Sequence, residues 1–203
     1  DSSIIASIMN KIVSNLKTFS IGLKGSPDLY HAENVAKFLN TNHTTVLVTE
    51  KQMLDMIENT IYQIESYDIT TIRASVPMFL LSQYIRDNTD IKVVLSGEGS
   101  DEASGSYLYF HNAPDSQSFQ NECIRLLQDV QYFDVLRGDK TTAGAGLEIR
   151  VPFFDKTFME YYMSILPEKK MVRDGMEKYL LRKAFINDLP DDVVWRRKDG
   201  FSD

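Results

Sequence analysis

Apolar positions along this chain switch repeatedly between spacings of two and of three to four, and each switch marks a predicted element. Ile4, Ile5, Ile8 and Ile12 follow Asp1-Ser2-Ser3 at helical spacing. That predicts a helix whose first exposed amides, aligned with its dipole, attract anions. Residues 18–23 read as a short strand ending near Gly22 and Gly25. Ser26-Pro27 opens a helix with proline in its first turn and Leu29, Ala32, Val35, Ala36 and Leu39 along one face. Residues 44–49 are β-rich, and a helix carrying Leu54, Ile57, Ile61 and Ile64 follows. A polar break at Tyr67-Asp68-Ile69-Thr70-Thr71 leads into a helical stretch through Leu80 and Ile85, then a strand over 91–95. Beyond residue 115 the pattern turns helical: 122–136, with Cys123, Leu126, Leu127, Val130 and Phe133 in register, then 158–166 and 176–185.

Strands alternating with helices predict right-handed crossovers and a parallel sheet with helices on both faces. The expected fold class is therefore α/β, followed by a helical C-terminal layer. Nothing resembling a repeat or a linker divides residues 1–203, so a single domain is expected. Both ends read as cut. Residue 1 is Asp and Phe201-Ser202-Asp203 carries no capping pattern, so the chain is expected to be a piece of a longer one.

Composition narrows this picture modestly. Hydrophobic residues at 43% and charged residues at 25% are ordinary for a soluble globular protein. No apolar run approaches the roughly 18 residues of a membrane span, and no secretory signal is visible. The lone Cys123 rules out an internal disulfide, fits a reducing, cytoplasmic setting, and is expected to be buried. A net charge of −7 argues against nucleic acid as the main partner. On charge alone, the basic Trp195-Arg196-Arg197-Lys198 reads as a solvated turn.

The chemistry concentrates where Val93-Val94-Leu95 runs into Ser96-Gly97-Glu98-Gly99-Ser100-Asp101-Glu102. Carboxylates directly after a buried strand need a cation or a proton task to be tolerated there. In an open parallel sheet, ligands bind beyond the carboxyl ends of the strands. The Asp1 helix start, the loop after Ile21 and the 96–102 loop are expected to meet there. Amides offered to an anion beside Asp1 and Asp101 suit a Mg²⁺–phosphate site, since Mg²⁺ takes one or two carboxylates plus phosphate oxygens. Gly97 and Gly99 would let backbone approach a ligand closely. These features reach nucleotide binding and stop there.

Larger motifs take the reading further. VVLSGEGSDE, DITTIRAS, GLEIRVPFFD, GMEKYLLRKAF and WRRKDGFSD, in this order along the whole chain, resemble the synthetase domain of glutamine-dependent asparagine synthetases. The opening DSS is similar to the tail of that family's pyrophosphate loop, SGGxDSS. Its Ser-Gly-Gly and the family's N-terminal glutaminase domain are not in this sequence. Ala103-Ser104-Gly105-Ser106 stands where the family commonly carries a bulkier, Gly-Gly-containing stretch.

The resemblance implies an adenine nucleotide α-hydrolase-like fold of PP-loop ATPase type and an AMP-forming amide ligase. Such an enzyme adenylates the side chain of aspartate with ATP and Mg²⁺. It then aminates it with ammonia drawn from glutamine by the glutaminase domain, in a cytoplasmic homodimer of the family's kind. Carried over residue by residue, Asp1 and Asp101 would bind metal. Asp1, Ser2, Ile21, Ser96, Gly97, Thr70 and Thr71 would hold ATP or pyrophosphate. Glu98, Lys198, Lys178 and Arg73 would carry the reaction, with Tyr107 and Glu102 in the substrate pocket. Arg196 and Arg197 would stay outside it. Glu148, Arg150 and Asp155 read as a structural ion-pair network, and His31, His43 and His111 lack metal-ligand spacing. Two alternatives stand beside this. One is a β-lactam synthetase-like cyclase, whose tyrosine–glutamate pair Tyr107 and Glu148 would imitate. The other is a nucleotide-binding domain that has lost catalysis.

Overall fold

The computed structural model describes residues 1–198; the last five residues of the WRRKDGFSD motif, and with them the uncapped end, lie outside the described residues. The chain is α/β with parallel strands. Helix α1 (Ser2–Asn10) leads to β1 (Lys17–Leu23), α2 (Pro27–Leu39) and β2 (Asn42–Val48). Strands β1 and β2 pair in parallel with Ile21 opposite Val46, and α2 is the crossover between them. Proline in the first turn starts α2, and Asn40 in the left-handed region (φ 53°) stops it. Ile12 misses α1 and is exposed.

Two predicted helices are divided. The 54–64 stretch forms α3 (Glu50–Asp55), opened by a reciprocal Thr49–Gln52 capping box, and then α4 (Ile57–Ile64). A long helix, α5 (Ile69–Asn88), then leads to β3 (Val93–Leu95) and the short α6 (Ser100–Ser104). The expected 122–136 helix is instead α7 (Ser116–Asp129) followed, after a 3₁₀ turn, by α8 (Asp134–Gly144).

The C-terminal region is not purely helical. Strand β4 (Glu148–Arg150) pairs in parallel with β3, Val94 opposite Ile149. Among the described residues the strands thus form two separate two-stranded parallel sheets, β1–β2 and β3–β4, where one sheet was expected. Helices α9 (Lys156–Ser164), α10 (Pro167–Lys170), α11 (Tyr179–Ala184) and α12 (Asp191–Val194) complete the chain.

One apolar cluster does most to position the site. Ile4 and Ile5 of α1 and Val35 of α2 bury against Phe153, Leu181 of α11, Leu189 and Val194 of α12. Full burial of such side chains is worth about 1.5–3 kcal/mol each. This contact brings the first residue of the chain beside Lys178, far away in sequence. A second cluster, Phe110, Phe119 and Cys123, seats α7, and Cys123 is buried as expected.

Candidate active site

The loop after β3 passes so close to the start of α1 that residue 97 has no room for a side chain. A Cβ on Gly97 would collide with the Ser2 amide nitrogen and lie 2.7 Å from Asp1 Cβ. Gly99 has φ +90°, and a Cβ there would lie 2.7 Å from Phe154 Cδ2. The close approach expected of these glycines is therefore to the chain itself. It locks the 96–102 segment onto α1 and places Asp1, Ser100 and Asp101 together.

Asp1 occupies the N-cap position of α1 but makes no capping bond with its side chain. The carboxylate accepts from the Ser100 hydroxyl (2.9 Å) and from Lys178 Nζ (2.5 Å). Lys178 also pairs with Asp101, whose second oxygen takes Lys198 Nζ at 2.7 Å. Ser106 donates to Asp101, and Lys198 lies 5.4 Å from the Tyr107 ring centroid. The result is a chain of alternating charge: Asp1, Lys178, Asp101, Lys198.

Burial pushes the Asp101 carboxyl up, but Lys178 and then Lys198 outweigh it and hold it well below the usual carboxylate range. Burial lowers the Lys178 ammonium, and Asp101 pulls it partly back. Two carboxylates are available, and no cluster of three or more His, Cys, Asp or Glu side chains fit for a metal exists among the described residues. That donor set fits Mg²⁺ arriving with phosphate oxygens, and does not fit a cation caged by protein alone.

Glu98 faces the other side of the same loop. Both its oxygens lie near Arg137 Nη2, at 3.3 and 3.2 Å, and the same nitrogen pairs with Asp134 Oδ1 at 2.7 Å. The Tyr107 hydroxyl is shared between Glu102 and Asp134, the latter at 3.2 Å. Burial raises the proton affinity of Glu98, Arg137 opposes it and Asp134 adds to it. Burial also pushes Glu102 up to about 7, against the Tyr107 hydrogen bond and with help from Asp134. Burial and the Glu102 charge push the Tyr107 hydroxyl far up, so it remains a donor.

Every predicted site residue lines one cavity of about 1820 Å³. That cavity also takes in apolar flanks such as Phe19 and Ile85, so shared lining alone defines no site; the ion pairs do. By direct contact the structure joins Asp1, Ser2, Gly97, Asp101, Tyr107, Lys178 and Lys198, with Glu98 and Glu102 beside them. Ser96 anchors the loop through its amide to the Arg150 carbonyl (3.0 Å). Ile21 is buried in β1, and Thr70 and Arg73 line the shared cavity. Thr71 spends its hydroxyl and amide on the N-cap Asp68, each at 2.8 Å.

Several expectations need correction. Arg196 and Arg197 line the same broad cavity, but Arg196 pairs with Asp28 at 2.8 Å, apart from the Asp1–Lys178–Asp101–Lys198 chain. The 148–155 network reduces to an exposed Glu148–Arg150 pair, while Asp155 caps α9 by accepting from the Phe158 amide at 3.0 Å. Tyr107 is bonded to Glu102 and Asp134, whereas Glu148 is paired with Arg150, so the cyclase-like pair is not assembled. Sequence reasoning missed Asp134 and Arg137. Their one local signal is an i, i+3 charge pair opening a helix. It missed Ser100 and Ser106 because serines in a turn carry no signature.

Parallel strands with a helical crossover, and two lysines paired with two carboxylates beside the loop after β3, define the chain as an α/β protein with a site suited to phosphate. Comparison with known proteins gives the class its family. The asparagine synthase family model matches residues 1–122 and 112–203. The chain aligns over its full length, at 46% identity, with the proteins named asparagine synthetase [glutamine-hydrolyzing] of rat (Rattus norvegicus) and human (Homo sapiens), and at 45% with that of chicken (Gallus gallus). It spans 38% of the length of each. The chain belongs to the asparagine synthase family.

Proposed function

We propose that this chain carries the ATP-using step of asparagine synthesis in a cytoplasmic, AMP-forming amide ligase, within a fold of PP-loop ATPase type. In the full-length protein a glutaminase domain would supply ammonia, and the family expectation of a homodimer would apply. An oxygen of the aspartate side-chain carboxylate attacks the α-phosphorus of ATP, and the bond to pyrophosphate breaks. Ammonia then attacks the acyl carbon of β-aspartyl-AMP; AMP leaves with the bonding pair and the nitrogen sheds a proton.

The observation that carries this reading is the alternating Asp1–Lys178–Asp101–Lys198 chain beside Glu98. Two anions meeting repel, so the first step needs positive charge where the pyrophosphate leaves. Lys178 and Lys198 supply it, exchanging their contact with Asp101 for phosphate oxygens. Mg²⁺, held by Asp1 and Asp101, would neutralise the leaving pyrophosphate. Ser2, with its amide at the start of α1, and Ser96 and Gly97 border the phosphates. Thr70, Thr71 and Arg73 line the same cavity, and Ile21 flanks the adenine. Glu98, its proton affinity raised by burial, accepts the proton from the attacking nitrogen. Tyr107 and Glu102 close the substrate pocket behind it.

The test is aspartate-dependent exchange of labelled pyrophosphate into ATP by the full-length protein. Lys198→Ala is expected to slow adenylation about 10²–10³-fold, the scale of losing one preorganised donor. Lys198→Arg restores part of the rate, because a planar fork cannot place its charge where the ammonium sits. Exchange that ignores aspartate, or a Lys198→Ala rate equal to wild type, would overturn the reading.

A further inference from the structure

Lys178 and Lys198 come from segments twenty residues apart, and in the resting protein Asp101 ties them together. Once phosphate and metal claim these groups, that tie is gone. Another remains. Arg182, in α11, donates Nε to the Glu177 carbonyl (2.8 Å) and pairs Nη2 with the buried Glu177 carboxylate (2.5 Å). Its Nη1 donates to the Val194 carbonyl (2.5 Å) and the Arg196 carbonyl (3.2 Å). Glu177 directly precedes Lys178, and Arg196 stands two residues before Lys198.

Resting on the proposed role of these lysines, we propose that Arg182 is the positioning residue that holds both of them in register for the leaving pyrophosphate. Lys178 sits in the left-handed region (φ 55°), a conformation that persists only when its surroundings enforce it. The Arg182–Glu177 fork fixes the peptide on its N-terminal side, and the Arg182 amide bonds the Lys178 carbonyl (2.9 Å) on the other. At the second lysine, anchoring the Arg196 carbonyl leaves roughly 7 Å of chain before Lys198, at about 3.5 Å per residue. One rigid guanidinium thus restrains two ammonium groups that no backbone ladder connects. A lysine at 182 has the charge but not the fork, and reaches one of the two segments at a time.

The experiment is a double-mutant cycle in the full-length protein, read as single-turnover formation of β-aspartyl-AMP at saturating ATP and aspartate. Arg182→Lys is expected to slow adenylation about 10–100-fold, since small misplacements of a reacting constellation cost up to about 10²-fold. In the Lys198→Ala background the same change is expected to cost several-fold less than in the wild type, because one of the two groups it positions is gone and only Lys178 remains to be misplaced. Equal fold-losses in both backgrounds would mean Arg182 supports the fold alone and would overturn the inference. If Arg182→Lys unfolds the protein, Glu177→Gln loosens the same fork while keeping the carbonyl contacts, and must show the same non-additivity. A Lys198→Ala protein with an unchanged rate would instead refute the phosphate role of Lys198 itself, a separate failure.

Discussion

Glu98 and Glu102 stand four residues apart, and burial raises the proton affinity of both, but their partners differ. Glu98 leans on a guanidinium and stays available as a base. Glu102 shares a tyrosine hydroxyl and a hydrogen bond with Asp134, and its burial beside that second carboxylate favours a proton on Glu102. Two predictions follow from this contrast. Glu98→Gln keeps the size and removes the base, so it should abolish amide formation and leave ATP affinity within a few-fold. Normal asparagine output from that variant would exclude a charge role. For Glu102, a folded value of about 7 against an ordinary 4.5 makes its stabilisation complete below about 4.5 and lost as pH rises through 7. Glutamine at 102 mimics the protonated acid, accepting from Tyr107 and donating to Asp134. Glu102→Gln should therefore gain thermal stability over wild type at pH 8, and the gain should vanish near pH 4. A gain that does not depend on pH would show that Glu102 is already neutral throughout.

At the scale of elements, glycines 97 and 138 make opposite predictions. Gly97 has no space for a Cβ between the β3 loop and α1, so Gly97→Ala must push apart Asp1 and Asp101. A loss of about 1–3 kcal/mol, the range for overpacking, together with weakened pyrophosphate binding is expected. A Cβ on Gly138 in α8 meets Ile149 Cδ1 at an ordinary 3.5 Å, so Gly138→Ala should hold or gain up to about 1 kcal/mol from helix propensity. Denaturant melts of the two variants check both signs.

The same elements show what was legible in the sequence. Residues 18–23 and 44–49 alternate or run β-branched, and both strands appear within two residues of the expected bounds. Strand β4 is Glu-Ile-Arg, and one apolar residue in three sets no period, so only its pairing with β3 reveals it. The split at 130–133 was hidden because Val130 and Phe133 keep the helical spacing while the backbone leaves it. That split matters, for it starts α8 afresh with Asp134 and Arg137 facing Glu98. The lysines were legible only through the family motifs. Composition would have left Lys198 in solvent, and the closing of Lys178 onto Asp1 depends on a core contact that no local pattern encodes.

For the molecule as a whole, charge alternation governs what the site accepts. Phosphate alone would pit its anions against Asp1 and Asp101 as it reaches Lys178 and Lys198. Mg²⁺ alone would face those ammonium groups as it reaches the carboxylates. Each ligand relieves the repulsion felt by the other, so binding of the two must be coupled, and by linkage the coupling is the same in both directions. Calorimetric titration of the full-length protein with pyrophosphate should give an affinity roughly 5–150-fold tighter with Mg²⁺ than with the metal chelated, the usual range of such couplings. Asp101→Asn leaves both lysines and their reach for phosphate but removes one carboxylate, so pyrophosphate should then bind without metal at least as well as before, and the gain from Mg²⁺ should shrink. Raising salt should weaken the coupling only modestly, because Asp101 and Lys178 are largely shielded from solvent ions. Pyrophosphate affinity indifferent to Mg²⁺ in the wild type would mean that the lysines act alone and that the two aspartates serve only to hold them.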